Sequence, residues 1–225
     1  MTFLLTLVLV AFFLRQCRRP TGWIGRLLIG AMNRSHSGLT DWGLSEVTIG
    51  KAFTILDVGC GGGLTIQKLL EVASDGRVFG VDYSSASVAA ARARNAEAIA
   101  AGRVEIHEGS VAQLPFSDAM FDLVTAIETH YYWPDLTANL REVLRVLKPS
   151  GQVVVIAEAH ADGPFGPLYR LVMRPMGGKV LSADEHRAAF AAAGFSAIDV
   201  REKGNWICSA GGWHRLDIIS QLIAN

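Results

Sequence analysis

Asp57, Gly59, Gly61 and Gly63 stand at alternate positions in the run TILDVGCGGG, residues 54–63. Four glycines within five positions are poor material for the interior of a helix or a strand. They suit a turn at which bare main chain comes close to a ligand, with the amides entering the next segment offered to a negatively charged or carboxylate group. Asp82, in VFGVDYS, closes a second apolar run, where a carboxylate can accept from both hydroxyls of a ribose. Two more groups share one spacing: Glu128 and His130 in IETHYYWPDL, Glu158 and His160 in IAEAHADG. Residues two apart on extended chain face the same way, so two carboxylates and two imidazoles meet if these runs are neighbouring strands. Three chemistries stay open for that set. His130 is a general base oriented by a carboxylate such as Glu128, or the group holds a divalent metal, or the glutamates pair with Arg170 or Arg174 while the histidines cap strand ends. Tyr131, Tyr132 and Trp133 add rings that could wall an acceptor or shield a cation from water; the plainer use of Tyr131 or Trp133 is to seat the helix that begins at Pro134.

These side chains need elements to hold them. Short apolar runs at 53–58, 77–81, 104–107, 121–127 and 152–157 read as strands, and 64–73, 84–101 and 136–147 between them as helices. Ser84 caps one of these helices, and Lys148-Pro149-Ser150-Gly151 ends another. Strand and helix alternating at this pitch define the doubly wound α/β class, a parallel sheet with helices on both faces. In such sheets ligands bind beyond the carboxyl ends of the strands, which is where the glycine run lies. The rhythm breaks at 159–181, with three prolines and four glycines, read as a lid or insertion over that edge. Ser182 then caps a helix ending at Gly194, and 195–201 with 205–209 form a closing antiparallel hairpin joined by EKG. Ahead of the sheet, 21–50 carries small helices, with Trp23, Leu27, Leu28 and Ala31 at helical spacing and Asp41 placed to cap the second.

The 225 residues carry 21 basic and 21 acidic side chains, which excludes the electrostatic footprint of a nucleic-acid binder and fits small-molecule chemistry. Cys17, Cys60 and Cys208 are odd in number and far apart, which suits a reducing compartment and gives neither a disulfide framework nor zinc spacing. Residues 1–20 form an apolar leader: 2–14 are almost wholly apolar, and Arg15, Arg18 and Arg19 follow. As a helix, 2–14 covers about 20 Å, short of the roughly 30 Å hydrocarbon core. The segment 2–19 therefore suits a membrane surface or a buried leader, and its arginines keep the rest of the chain, 21–225, cytoplasmic.

The glycine run separates the cofactor classes. A dinucleotide fold wants G-x-G-x-x-G, and Leu64 stands where the third glycine belongs; no Tyr-x-x-x-Lys dyad supports a nicotinamide oxidoreductase, and no G-K-S or G-K-T supports a P-loop. What fits is D-x-G-x-G-x-G. In order, ILDVGCGGG, VFGVDYS, EGSVAQLPFSDAMFDLV and REVLRVLKPSGQVVV resemble the class I S-adenosylmethionine-dependent methyltransferases, in particular the small-molecule branch with the ubiquinone and menaquinone C-methylases. The likeness covers about residues 53–209.

The resemblance implies a Rossmann-like, seven-stranded sheet, mostly parallel with an antiparallel last strand, and S-adenosyl-L-methionine as the cofactor. By the same analogy Asp57, Gly59, Cys60, Gly61 and Gly63 hold the methionine part, Asp82 the ribose, Tyr83 lies near the adenine, and Ser110, Val111 and Ile127 complete the cofactor site. The family commonly has Gly-Asp where Gly109-Ser110 stands here, so one charge-assisted adenine contact is weakened. The expected acceptor is a small molecule methylated on O, N, S or C, with His130, Glu128, Tyr131 and Tyr132 as the catalytic candidates and no metal ligands assigned. The sequence Thr129 to Tyr132, in place of an Asn-Pro-Pro-Tyr-like tetrapeptide, argues against methylation of amides or nucleobases. A binding module that keeps the cofactor fold without catalysis is the rival from outside enzymology. His36 is read as a loop residue, in helices that in such folds often cover the acceptor.

Overall fold

Alternation with a period of two is what builds the centre of this molecule. The computed structural model describes residue 16 and residues 19–212. Seven strands, β1 (Thr54–Val58), β2 (Arg77–Asp82), β3 (Val104–Glu108), β4 (Phe121–Ile127), β5 (Leu147–Ala157), β6 (Ala197–Lys203) and β7 (Trp206–Gly212), form one sheet in the order β3-β2-β1-β4-β5-β7-β6. Leu56, Val58, Phe79, Val81, Val124, Val153 and Val155 pack on one face, and Ile55, Val78, Leu123, Val154 and Ile156 on the other. Both faces are thus buried, as a parallel sheet requires. β7 runs antiparallel to both β5 and β6, so it is the reversed strand, as the resemblance implied.

The helices are α1 (Gly22–Ser35), α2 (Ser37–Ser45), α3 (Leu64–Val72), α4 (Ser85–Arg94), α5 (Ala96–Ala100), α6 (Leu136–Val146), α7 (Gly166–Met173) and α8 (Ala183–Ala193). α6 and α8 cover the first face through Leu140, Val143, Val146, Phe190 and Ala193. α2, α3 and α4 cover the second through Leu39, Leu44, Ile66, Leu69, Val88 and Ala91. Local signals set several boundaries. Ser84 accepts from the Ser87 amide, Ser182 and Glu185 form a reciprocal capping box, and Gly194 ends α8 in the left-handed region at φ 108°.

Three boundaries differ from the sequence reading. The expected single helix 84–101 is broken at Asn95, whose side-chain amide donates to the carbonyls of Ala91 and Gly63 and so ties α4 to the glycine loop. Asp41 lies inside α2 and does not cap it; it is drawn to Lys68 of α3. Lys148 to Gly151 belongs to a bulge within β5, since Leu147 pairs with Phe121 and Gln152 already pairs with Leu123. Gly151 is needed there, because a Cβ would sit 2.8 Å from the Phe121 carbonyl oxygen.

The segment 159–181 holds α7 and a 3-10 turn at Arg174–Met176. It is fastened by Ala161 donating to the Leu181 carbonyl (2.8 Å) and Lys179 donating to that of Tyr131 (3.0 Å). Among the described residues no helix is long and apolar enough to cross a membrane. The leader at 2–14 lies outside the described residues, as do Cys17 and His214.

His186 of α8 is buried against Ser209 of β7, with Nδ1 and Oγ 2.9 Å apart and Nε2 without a partner. Burial pushes its imidazole down to about 4, with His160 as a smaller contribution. The unfolded chain takes up this proton near pH 6.5, before the folded protein does, so acid favours unfolding over the window from about 6.5 down to about 4. Denaturant titrations should show a loss of about 2 kcal/mol between pH 8 and pH 5 attributable to this group. His186→Gln should flatten that part of the profile; an unchanged profile would remove His186 as its source.

Candidate active site

β1 turns outward to β2 and β3, and the chain then returns to lay β4 on the other side of β1. At that reversal the carboxyl ends of β1, β2 and β4 part and leave a cleft of about 380 Å³, a size usual for a small-molecule site. Its floor is the glycine loop. Gly59 and Cys60 donate to the Val81 carbonyl (2.7 and 3.1 Å), and Gly63 donates to that of Cys60 (2.9 Å), so the loop is a fixed turn. Gly59 is left-handed at φ 75°, and a Cβ there would meet Thr129. Gly61 faces open space, with nothing within 4 Å of where a Cβ would be. From behind, Arg94 donates to the Gly62 carbonyl at 2.8 Å.

Two acids frame the loop. Asp57, on β1, accepts from Thr125 of β4 at 2.8 Å, and its register partner in the sheet is Thr125 itself. Burial raises its carboxyl to about 7 against the pull of that hydrogen bond, with Asp82 adding to the rise. Asp82 accepts from the Gly61 amide on Oδ2 and from the Ser84 amide on Oδ1, both at 2.9 Å. Desolvation raises its carboxyl as well, and the two amides oppose the shift. Cys60 is buried, and desolvation holds its thiol well above the ordinary range, so it is a neutral filler of the loop.

Of the residues singled out in the sequence, Asp57, Gly59, Cys60, Gly61, Asp82, Tyr83, Ser110, Val111, Ile127, Glu128 and Tyr132 line the cleft; Gly63, His130 and Tyr131 do not. Gly63 is the N-cap of α3. Tyr83 is 39% exposed at the rim, with the Arg19 guanidinium 5.6 Å from its ring centre. Ser110 accepts from the Ala112 amide at 3.2 Å.

The two Glu-x-His pairs do not face together. Glu128 takes a left-handed backbone at φ 59°, and a 3-10 turn at His130–Tyr132 follows, so the extended run on which the spacing argument depends ends at β4. His130 is turned into the protein, with ring centroids 4.3 Å from Tyr131 and 5.0 Å from His186. Both its ring nitrogens are buried without a hydrogen-bond partner, and burial lowers its pKa well below the usual imidazole range, with His186 adding to the effect. It is a neutral core ring and has no access to the cleft. His160 is also buried, with Nε2 3.1 Å from the Gly204 carbonyl and Nδ1 3.1 Å from Glu202. Tyr131 acts as a brace: its hydroxyl donates to Glu128 (3.0 Å) and accepts from the Ala159 amide (2.8 Å). Glu128 also accepts from the Glu158 amide. Arg170 pairs with Glu185 and leaves the glutamates to other partners.

The residue that meets those carboxylates is His36, at the junction of α1 and α2, with Nε2 3.8 Å from Glu128 and 3.8 Å from Glu158. Ile29 and Thr40 of the same helices also line the cleft, as do Pro20 and Lys68. Lys68 holds α2 down through the Ser37 hydroxyl (2.8 Å) and Asp41. A sequence signal for this existed only in the chemistry of MNRSHSGLTDWGL, which sets a histidine among small polar residues ahead of the first strand.

The fold and this cleft define a Rossmann-like cofactor-binding protein with its site at the sheet's switch point. Residues 56–155 match the family described as a methyltransferase domain. The chain is 32% identical over 152 residues to the O-methyltransferase cnsE of Penicillium expansum, covering 66% of this chain and 54% of the relative. It is 31% identical over 154 residues to the demethylmenaquinone methyltransferase of Bacillus licheniformis, covering 66% and 65%. A chain in the complex of the Haloferax volcanii Trm112 methyltransferase activator with its methyltransferase shares the fold, at 21% identity and a TM-score of 0.74, over 85% of this chain and 96% of that one. Residues 56–155 thus form a methyltransferase domain of the class I S-adenosylmethionine-dependent kind, similar to the demethylmenaquinone methyltransferases at moderate identity. The chain spans little more than half the length of the first of these curated relatives.

Proposed function

We propose that this protein transfers the methyl group of S-adenosyl-L-methionine to a small-molecule acceptor. The observation that carries the reading is the pairing of Asp82 with the open backbone at Gly61. Asp82 takes one amide on each oxygen and the Ser87 side chain as well, so the carboxylate is fixed, and its two oxygens together have the capacity to accept from ribose hydroxyls. Gly61 lets a ligand lie on main chain. Asp57 and Gly59 to Gly63 would hold the methionine part, where an amino cation near Asp57 favours its ionised form. Tyr83, Ser110 and Val111 would take the adenine, with Ile127 beside the reacting end.

The bound donor supplies an activated methyl on a sulfonium. The protein's task is to hold the acceptor in line with it at near-attack distance. Thr129, Tyr132 and Trp133 form the wall available for that, with Tyr132 steadied by Met173 of α7 at 3.8 Å. Glu128 is the polar group at this end. His130 and Tyr131 contribute through packing and through bracing Glu128. A cytoplasmic location belongs to the same reading and rests on the arginines that follow the leader.

Isothermal titration with S-adenosylhomocysteine should give a micromolar dissociation constant, and the reduced nicotinamides should give no heat. Labelled methyl donor incubated with a panel of phenols, quinones and thiols should then mark at least one of them. Absence of adenosylhomocysteine binding by folded protein would overturn the reading; binding without transfer would favour the non-catalytic module.

A further inference from the structure

We propose that His36, Glu128 and Glu158 form a divalent-cation site at the acceptor end of the cleft, a reading that rests on the methyl-transfer function only for what the ion holds. The three side chains come from separate parts of the chain: the α1–α2 junction, the end of β4 and the end of β5. Their ligand atoms lie within 4.8 Å of one another. His36 Nε2 is 3.8 Å from Oε2 of each glutamate, too long for a hydrogen bond. That spacing leaves room for a central ion. The nearest point equidistant from three atoms spaced 3.8 Å apart lies in their plane at 3.8/√3, about 2.2 Å, from each, and opening the third edge to 4.8 Å lengthens this to about 2.5 Å, so the side chains would draw in slightly around an ion seated out of that plane.

The donors are also held ready. Glu128 spends Oε1 on the Tyr131 hydroxyl and the Glu158 amide, which leaves Oε2 as the oxygen turned to His36. Among the described residues, the ion pairs of both glutamates are with His36 alone. Two neighbouring carboxylates repel, and a doubly charged ion between them and the imidazole relieves that repulsion more than one shared ring does. One nitrogen and two oxygens suit zinc, a borderline ion, better than magnesium or calcium, which favour oxygen alone; manganese, harder than zinc, serves as the paramagnetic probe. Three protein ligands leave positions open, and the cleft side of the site gives those positions to water or to an oxygen of the acceptor, whose proton the ion would make easier to lose.

A second cluster, His160, Asp162 and Glu202, also has donor atoms within 4.8 Å. It differs in that Asp162 Oδ2 is taken by the Ala183 amide (2.8 Å) and His160 Nδ1 stands 3.1 Å from Glu202. It serves as the internal control.

The test is a titration of the chelator-stripped full chain with Mn²⁺, read by loss of the free-ion electron paramagnetic resonance signal. One ion per chain should bind. His36→Gln and Glu158→Gln should each weaken binding at least tenfold, Glu202→Gln should leave it unchanged, and all three should keep the circular dichroism spectrum and cooperative melt of the wild type, which shows that they fold. No binding at millimolar Mn²⁺ by protein that binds adenosylhomocysteine would overturn the proposal, and so would weakening by Glu202→Gln in place of the other two. Mn²⁺ binding by wild-type protein that fails to bind adenosylhomocysteine would keep the ion site and remove the methyl-transfer reading.

Discussion

Asp82→Ala should weaken adenosylhomocysteine binding at least a hundredfold. The substitution removes the proposed acceptor for two ribose hydroxyls, and charge-assisted hydrogen bonds of this kind contribute about 1.5–3 kcal/mol each. It also frees the Gly61 and Ser84 amides, which the carboxylate now holds at 2.9 Å on opposite oxygens. The glycine loop loses its tie to β2 on that side, so the backbone that should receive the cofactor is no longer preorganised. Asp82→Asn separates the two effects. Its carbonyl can still take one amide, but its NH2 must face the other, so affinity should fall by an intermediate amount while the loop keeps most of its shape. Isothermal titration of both variants, with thermal melts alongside, reads the outcome. An affinity within threefold of wild type for Asp82→Ala would remove Asp82 as the ribose anchor.

The sheet was legible because its signals are local. Residues such as Ile55, Leu56 and Val58, and Val153 to Ile156, are apolar in both phases of the strand period, which reads directly as a strand buried on two faces. Ser84, Ser182 and Gly194 mark helix ends by chemistry that needs no tertiary partner. The floor of the cleft was legible for the same reason, since the D-x-G-x-G-x-G turn and Asp82 lie at the ends of adjacent strands.

The opposite wall, with Glu128 and His36, was not. Glu-x-His spacing places two side chains together only while the chain stays extended, and at Glu128 it leaves the β region for the left-handed one. That single backbone angle sends the carboxylate toward the cleft and His130 into the core. His36 enters from more than ninety residues away in sequence, carried by helices whose seat depends on Lys68 and Asp41. Neither partner of that ion pair is marked by local sequence. Asn95 is a comparable case: its helix break is set by the Gly63 carbonyl across the fold.

Gly59→Ala should be the most damaging single-methyl substitution in the loop, and its cost can be divided. A Cβ at residue 59 would lie 2.8 Å from the Thr129 Cβ and closer still to its methyl, so something must move. The left-handed backbone at φ 75° costs about 1–2 kcal/mol for any residue with a Cβ, and the overlap adds about 1–3 kcal/mol. The expected result is a loss of about 3 kcal/mol in a denaturant titration, with weaker adenosylhomocysteine binding because the Gly59 and Cys60 amides are pulled from the Val81 carbonyl. Thr129→Ser deletes the methyl that causes the worst overlap and keeps the hydroxyl, which donates to the Val58 carbonyl at 3.2 Å. In the Gly59→Ala/Thr129→Ser double variant about half of the stability loss should return, while the backbone share remains. Gly61→Ala is the contrasting case: it has the same left-handed cost and no overlap, since its Cβ would point into open space. It should lose only about 1–2 kcal/mol of stability but should block the surface on which the ligand lies. Recovery by Thr129→Ser in a double-mutant cycle, together with an affinity loss at Gly61 that exceeds its stability loss, would locate the cofactor on this loop. A cycle with no coupling between residues 59 and 129 would mean that the Thr129 side chain does not pack against the loop.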